Sequence, residues 1–224
     1  RASAVAIRYV WIEHLTMHKG LRLYYNGVAR NINREKEMGS YKNIKSGVVS
    51  YEAPEGSDLS QGLYDSSYDG QKSEARLING LGRLVDGEIG ADNFRLDIGY
   101  GKGNGWVAWK NDSFPGFVDL LFAFDQLRNF SSVNLYTNNF FSKGVQVFSK
   151  AKLIFSVGGL FYNGPTLSFS YMPDNVLENA RNVSINLKGR IGRFIKMRLF
   201  FADRWIMLSE VTFESGKFIS THSS

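Results

Sequence analysis

The segment Val183-Ser184-Ile185-Asn186-Leu187 alternates apolar and polar side chains. Because successive side chains of a β-strand point to opposite faces, one face of this segment is expected to meet a core and the other to meet water. Downstream, the segment from Arg193 to Phe201 carries apolar residues on both faces, which is typical of a central strand. The two segments together predict a β-sheet packed against a hydrophobic core.

Strand-like runs continue along the chain, separated by Gly, Asn, Asp and Pro residues. Helical periodicity is scarce, and only Ser73–Leu81 is predicted to form a helical turn or two. There is no internal repeat and no low-complexity stretch. The prediction is therefore an all-β, jelly-roll-like β-sandwich. Its strands are predicted near Val48–Tyr51, Trp106–Trp109, Phe117–Phe124, Ser132–Thr137, Val145–Phe148, Ala151–Val157, Thr166–Tyr171, Asn182–Leu187, Phe194–Phe201 and Ile206–Phe213, with two more at Ala4–Ile12 and Leu21–Tyr25.

Composition excludes several classes of protein. Of 224 residues, 43% are hydrophobic and 21% are charged, which is sufficient for a packed core and excludes a disordered chain. The formal charge of +6 suits nucleic acid, anionic polysaccharide or membrane headgroups. Because the basic residues are dispersed and no nucleic-acid-reading motif accompanies them, no nucleic-acid binding is expected and a solvated surface is favoured.

The absence of cysteine excludes thiolate zinc sites, cysteine nucleophiles and disulfides. No apolar run approaches the ~18 residues of a membrane helix, and Phe117–Phe124 is short and includes Asp119. The chain opens on Arg1 with no signal peptide. If the parent protein is secreted or anchored in a membrane, the signal and the anchor are expected outside this chain.

Catalytic motifs are also missing. His14 and His18 have the spacing of a zinc-binding helix, but Leu15 stands where a metalloprotease has Glu, and a hairpin loop is the preferred interpretation. No Gly-x-Ser-x-Gly elbow occurs, and nothing in the sequence places Asp119 and Asp125 in a shared cleft. We therefore expect no enzymatic activity in this chain.

The glycine-rich segment Gly99–Gly105 looks like a phosphate-binding loop only at first sight. A strand, Trp106–Trp109, follows it, whereas phosphate loops open a helix. A long hairpin is therefore predicted. Exposure of Tyr100, Trp106 or Trp109 would favour stacking on sugars, and burial would favour a structural role.

Several distinctive segments follow one another over about 48–215. They are Val49–Gly56, Tyr64–Gly70, Gly80–Gly87, Asp92–Phe94, Trp106–Ser113, Phe122–Phe130, Asn138-Asn139 with Lys143–Val145, Phe200–Trp205 and Leu208–Phe213. In this collinear order they resemble the second, discoidin-like domain of discoidin domain receptors. The resemblance implies a β-sandwich of the discoidin or galactose-binding type.

Residues 4–28 in turn resemble the last two strands of a discoidin domain. The resemblance implies that 1–29 are the C-terminal strands of a truncated discoidin domain and that 30–47 are a linker. Residues 48–215 are then the discoidin-like β-sandwich, and 216–224 are a tail.

The family consists of collagen-activated receptor tyrosine kinases. The resemblance implies a non-catalytic extracellular module at the plasma membrane, with the kinase outside this chain. It also implies that collagen is bound through the mostly missing first discoidin domain and that the full-length receptor can form a homodimer. Two alternatives remain open: a glycan-binding β-sandwich of a secreted or cell-surface protein, and a structural spacer.

The resemblance further implies a calcium site formed by Asp86, the backbone carbonyl of Glu88, Ser209 and Glu210. Hard cations prefer such oxygen donors. Arg83 and Tyr64 depart from the family pattern, which has a neutral amide and Asn at these positions, although Asp65 is adjacent to Tyr64. Since a guanidinium cannot bind calcium, the alternative is a buried salt bridge from Arg83 to Asp86 or Glu210 in place of the metal.

Two smaller expectations complete the sequence analysis. Asn-x-Ser sequons occur at Asn111, Asn129 and Asn182, and Asn111 is the preferred glycosylation site because its predicted turn is accessible. Relatives commonly have Cys where this chain has large apolar or aromatic residues, which a core is expected to accommodate by repacking. These residues are Tyr136, Leu153 and Met197.

Overall fold

A computed structural model describes residues 46–57, 63–96 and 105–218, together with the backbone of short strands at 12–13, 22–25 and 28–31. The predicted glycine-rich hairpin at 99–104, with Tyr100, lies outside these residues, as do His14, His18 and His222. In the described residues the strands are β1 (Ile12–Glu13), β2 (Arg22–Tyr25), β3 (Val28–Asn31), β4 (Val48–Pro54), β5 (Gln71–Ser73), β6 (Arg76–Gly80), β7 (Val107–Lys110), β8 (Phe117–Thr137), β9 (Lys150–Ser156), β10 (Leu167–Ser170), β11 (Arg181–Phe200) and β12 (Trp205–Lys217).

Strands β4 to β12 form one antiparallel hydrogen-bonded network, and β1 to β3 form a separate small sheet. The long strands β8 and β11 connect the two layers of the network. The two halves of each strand pair with different neighbours. Residues 117–124 of β8 pair with β4 and with 194–200 of β11. Residues 128–137 of β8 pair instead with β12 and with 181–192 of β11. Register shifts in β11 at Asn186/Arg190 and Gly192/Phe194 separate the halves, and such bulges bend a strand.

The two layers enclose an aromatic core. Phe122 and Phe124 of one layer contact Phe213 of β12 in the other, with ring centroids 5.0 and 5.1 Å apart. All three side chains are buried. The architecture is therefore a β-sandwich, as the alternation in Val183–Leu187 predicts, and that segment indeed has Val183, Ile185 and Leu187 buried and Ser184 and Asn186 exposed.

Two predicted elements are wrong. Ser73–Leu81 forms the hairpin β5–β6 rather than a helical turn, because Glu74 and Ala75 adopt positive φ angles of 48° and 58° and reverse the chain. Val145–Phe148 is not a strand: Val145 makes only isolated bridges to Phe140 and Trp205.

Short 3-10 segments occur among the described residues, including Arg83–Val85 and Asn111–Ser113. None of the described helices is long and apolar enough to cross a membrane. The positions where relatives commonly have Cys are packed: Leu153 and Met197 are fully buried cross-strand partners, and Tyr136 stacks on Trp106 at 5.6 Å.

Candidate functional site

The 3-10 segment Arg83–Val85 is positioned by Asp65, a carboxylate that is only 1% exposed. Asp65 accepts hydrogen bonds from the Arg83 amide at 3.0 and 3.1 Å, from the amide and hydroxyl of Ser67, and from the Tyr51 hydroxyl. Because both carboxylate oxygens are engaged in this way, Asp65 holds the start of the segment in place. Asp65 directly follows Tyr64, the residue that stands where the resemblance leads us to expect Asn.

Two tyrosines complete this support. The Tyr68 hydroxyl donates to the backbone carbonyl of Tyr51 and accepts the Gly80 amide at 2.8 Å. Burial is the main cause that raises the pKa of Tyr68 to about 12, and burial together with the charge of Asp65 raises the pKa of Tyr51 well above its ordinary value. Both phenols therefore stay protonated at physiological pH and can donate.

Ser209 and Glu210, adjacent in β12, both contact the loop that follows Arg83–Val85. The Gly87 amide donates to Glu210 Oε2 at 3.0 Å, and the Gly90 amide donates to Ser209 Oγ at 2.6 Å. The pairing with β8 skips Ser209, since Leu208 faces Thr137 and Glu210 faces Tyr136. Such a β-bulge redirects side chains, so that two consecutive residues can serve the same loop.

Asp86 lies in this same loop. Its Oδ1 accepts the Glu88 amide at 2.8 Å, and its Oδ2 lies 3.6 Å from Arg83 Nη1. Burial raises the pKa of Asp86 above its ordinary value, and the Glu88 amide and the Arg83 charge offset that rise only in part. A buried carboxylate with a raised pKa is stabilised by any further cation that reaches it.

The structure places the four residues that the resemblance implied on one loop and on the strand that contacts it, and we call them the candidate cation site: Asp86, Glu88, Ser209 and Glu210. Ser209 Oγ lies 3.5 Å from the Glu88 carbonyl oxygen, which links the neutral donors to each other. Within the described residues no group of three or more His, Cys, Asp and Glu side chains is placed to hold a metal. The candidate cation site accordingly combines two carboxylates with a hydroxyl and a carbonyl.

Arg83 decides whether a metal fits. The oxygen donors suit a hard cation such as Ca²⁺, but the Arg83 guanidinium lies against Asp86 in the same place. Its Nε is buried and has no hydrogen-bond partner in the described structure, a situation that costs about 1–3 kcal/mol. The oxygen donors are of the kind that calcium prefers, and the Arg83 guanidinium beside Asp86 is the salt bridge that the sequence offered as the alternative to a metal.

Trp106 packs against Gly90 and Ala91, which follow the loop that carries Asp86. It is fully buried, its Nε1 donates to the Ala91 carbonyl at 3.0 Å, and Gly90 packs so closely that an added Cβ would lie 2.3 Å from Nε1. Trp109 is also fully buried and donates to the Pro54 carbonyl at 2.9 Å. Both rings are buried, which favours the structural role that the sequence analysis associates with burial.

The remaining predicted residues are dispersed. Asn129 and Asn182 are exposed on strands, whereas Asn111 is half-buried at the start of a 3-10 turn, which reverses the accessibility expected for the three sequons. Asp119 and Asp125 belong to separate ion pairs, with Arg198 and Arg128 respectively.

The bulge at Ser209 is the feature that sequence reasoning missed. The sequence at this point has the polar pair Ser209-Glu210 inside the otherwise apolar run Ile206–Val211, all of which is buried. Because both faces of this run are buried, two consecutive polar residues here need polar partners on the elements packed against them. Such a pair indicates a buried polar contact, but not the bulge that turns both side chains to one loop.

Comparisons with known proteins identify the family of the chain. Residues 47–215 match the family described as discoidin domain-containing receptor 1/2, DS-like domain. Epithelial discoidin domain-containing receptor 1 of Homo sapiens is 36% identical over 185 residues, which cover 76% of this chain and 20% of the receptor. Discoidin domain-containing receptor tyrosine kinase B of Caenorhabditis elegans is 35% identical over 174 residues, which cover 75% of this chain and 21% of the receptor.

Among solved structures, the fucolectin from the serum of Morone saxatilis is similar with a TM-score of 0.44 and 17% identity, covering 79% of this chain and 48% of the lectin. The antiparallel β-sandwich and the family match together define a discoidin-like β-sandwich module, which confirms the predicted fold class. The chain belongs to the DS-like domain family of discoidin domain receptors. It spans about a fifth of the length of the receptors that it matches.

Proposed function

We propose that this chain is a non-catalytic extracellular module of a collagen-activated receptor tyrosine kinase, in which it supports ligand binding and transmembrane signalling. The match of residues 47–215 to the receptors' DS-like domain carries the proposal. The relative from C. elegans is named a receptor tyrosine kinase. The proposal places this chain on the extracellular side of the plasma membrane and assigns the kinase and the membrane anchor to other parts of the receptor.

The supporting role is favoured by how the described domain uses its large aromatic side chains. Trp106, Trp109, Phe122, Phe124 and Phe130 are all fully buried, and in these five the domain presents no ring platform to a ligand. We therefore assign collagen contacts to the first discoidin domain, of which this chain carries little. The same proposal includes that the full-length receptor forms a homodimer.

Solid-phase binding to triple-helical collagen tests this assignment. This chain is compared with a version extended N-terminally through the whole first discoidin domain, and a heat-denatured collagen surface serves as the control. Binding by the extended version alone supports the proposal. Binding by neither contradicts the collagen assignment, and equal binding by both contradicts a purely supporting role.

We also propose that the candidate cation site binds Ca²⁺. The support is a set of oxygen donors carried by one loop and by the strand that contacts it, namely two carboxylates, a hydroxyl and a carbonyl, together with the unsatisfied Nε of Arg83. Bound calcium would hold the loop at 86–90 to β12. The two carboxylates and the two neutral oxygens of the site would be its protein ligands.

Calorimetric titration with Ca²⁺ tests the site, using the chain itself, Arg83→Gln and Asp86→Asn. Removing the guanidinium is expected to tighten calcium binding on the order of tenfold, because a positive charge beside Asp86 is lost. Asp86→Asn is expected to abolish binding. If only Arg83→Gln binds calcium, the guanidinium occupies the place of the metal; if no version binds, the site is not a calcium site.

We propose finally that the domain is glycosylated at Asn129 and Asn182, with Asn111 as a third acceptor. The support is the exposure of the first two asparagines in the described structure. Peptide mapping of the domain secreted from animal cells tests the proposal. Full deamidation of Asn129 and Asn182 after glycosidase treatment supports it, and unmodified peptides at both positions contradict it.

A further inference from the structure

Four basic residues from two neighbouring strands share one face of the sandwich. Lys150 and Lys152 of β9 and Lys196 and Arg198 of β11 alternate with fully buried residues of the same strands, and they therefore point away from the core. We call these four residues the cationic face. Since neighbouring strands lie about 5 Å apart and alternate residues about 7 Å apart, the four charges occupy one compact patch.

The strand register places like charges opposite each other. Arg198 and Lys152 are direct cross-strand partners, and like charges in that arrangement destabilise a sheet. The two charges also have aromatic neighbours, because Arg198 lies 3.7 Å from the ring centroid of Phe117 and Lys152 lies 5.5 Å from that of Phe200. Asp119 balances the charge of Arg198 but not that of Lys152, and an external anion that bound here would relieve the remaining repulsion.

Carboxylates balance only part of the positive charge on the cationic face. Asp119 accepts two hydrogen bonds of 2.7 Å from Arg198 and lies 3.4 Å from Lys196 Nζ. Burial would raise the pKa of Asp119, but these two partners outweigh it and keep that pKa below its ordinary value. Within the described residues, neither Lys150 nor Lys152 lies within 4 Å of a carboxylate oxygen.

Hydroxyl groups extend the cationic face on one side. Ser168 and Ser170 of β10 are exposed and are the direct cross-strand partners of Lys152 and Lys150. Serine hydroxyls and lysine ammonium groups both donate hydrogen bonds to anionic oxygens. On the other side, Glu52 of β4 is separated from β11 by β8, at a distance of about 10 Å between strands.

These features select one class of partner. The charges extend along two strands and the hydroxyl groups along a third, which suits an extended polyanion better than a single small anion. The apolar side chains on this face, such as Ile154 and Phe200, are half-buried among the cations, and the most exposed apolar residues of the described chain, such as Leu160, Phe161 and Met172, lie in loops. The face therefore offers a bilayer no fully exposed apolar group for insertion. The rings of Phe117 and Phe200 lie under cations and are not open to stacking by nucleic-acid bases.

We infer that the cationic face binds a sulfated linear polysaccharide through Lys150, Lys152, Lys196 and Arg198. The preference for a polysaccharide over other polyanions rests on the extracellular location proposed above. Binding is electrostatic and therefore weakens steeply with ionic strength. It uses a surface separate from the candidate cation site and needs no sugar stacking on tryptophan.

The experiment is binding of the whole chain to immobilised heparin by surface plasmon resonance. Lys150→Gln/Lys152→Gln is the test variant, since neither lysine has an ion-pair partner whose loss would disturb the fold. Lys188→Gln/Lys217→Gln removes the same charge from exposed positions outside the cationic face and is the matched control. The test variant is expected to bind about tenfold or more weakly, while the control keeps the affinity of the parent chain.

Three results would overturn the inference. They are absence of heparin binding by the parent chain at physiological ionic strength, equal losses in the two variants, and retained binding to fully desulfated heparin. A double-stranded DNA of matched charge that binds as tightly through the same lysines would also contradict the assignment to a polysaccharide. Since the readout does not involve collagen, failure here leaves the receptor proposal standing, and failure of the collagen assay leaves this one standing.

Discussion

At the candidate cation site, Gly82 lies so close to Asp65 that no side chain can be added without displacing it. An ideal Cβ at Gly82 would lie 2.6 Å from Asp65 Oδ2 and 2.8 Å from Oδ1. Asp65 is buried and holds the Arg83 amide. The Asp65 carboxylate and the absence of a side chain at Gly82 thus fix the position at which the loop that carries Asp86 begins.

Gly82→Ala is therefore expected to lower the free energy of unfolding by about 1–3 kcal/mol, because the methyl group overpacks this buried contact. Gly158→Ala is the matched control, since a Cβ there meets nothing within 4 Å. Chemical denaturation of the two variants and the parent chain measures the effect. Equal stability of the two variants would contradict the role given to the Gly82–Asp65 contact.

At the level of elements, the loop between β10 and β11 is held by an ion pair. Asp174 pairs with Arg181 at 2.7 Å and accepts the amides of Val176 and Leu177 at 2.8 and 3.2 Å. Asn139 donates from the other side to the backbone carbonyls of Asp174 and Leu177. The loop therefore depends on the charge of one carboxylate.

The hydrogen bond from Arg181, with those from the two amides, lowers the pKa of Asp174 from 3.8 to about 2. A lowered carboxyl pKa contributes stability that is present above pH 3.8 and is lost as the pH falls towards 2. We expect the amide resonances of Val176 and Leu177 to titrate in NMR spectra with a midpoint near pH 2. In Asp174→Asn this titration should vanish, and a midpoint near 3.8 would refute the assignment.

The hairpin β5–β6 is an element that the sequence did not predict. Its two turn residues, Glu74 and Ala75, have positive φ angles, a conformation that Gly, Asn and Asp favour. A Glu-Ala pair in the sequence therefore does not indicate a turn. Cross-strand pairing of Gln71–Ser73 with Arg76–Ile78 imposes the turn on residues that would otherwise continue a helical pattern.

On the scale of the whole molecule, Phe213 joins the two layers of the sandwich. Its ring contacts Phe122, Phe124 and Phe130 at centroid distances of 5.0, 5.1 and 6.1 Å, and it is 5% exposed. Phe130 and Phe213 lie in the layer of β12, and Phe122 and Phe124 lie in the facing layer. Phe213 thus makes two of the aromatic contacts between the layers, next to the contact of Phe124 with Phe130 at 4.6 Å.

Phe213→Ala is expected to lower the free energy of unfolding by about 3–5 kcal/mol, since it opens a cavity between the layers. Phe161→Ala, at a position 75% exposed, is the control and is expected to change stability by no more than about 0.5 kcal/mol. Guanidinium denaturation followed by tryptophan fluorescence measures both. A loss as small as that of the control would show that the layers do not depend on Phe213.

Sequence by itself determined the all-β class, the core face of segments such as Val183–Leu187 and, through collinear motifs, the family. It could do so because strand periodicity is local, and because motif residues such as Asp86 and Glu210 stand in order along the chain. Only the tertiary structure decided that β8 and β11 run unbroken through both layers and that Trp106 and Trp109 are buried. It also decided that a bulge turns Ser209 and Glu210 to one loop, and that four cations meet on one face. The reason is that strand register and pairing between distant segments set these features, and a local pattern carries no record of which segments pair.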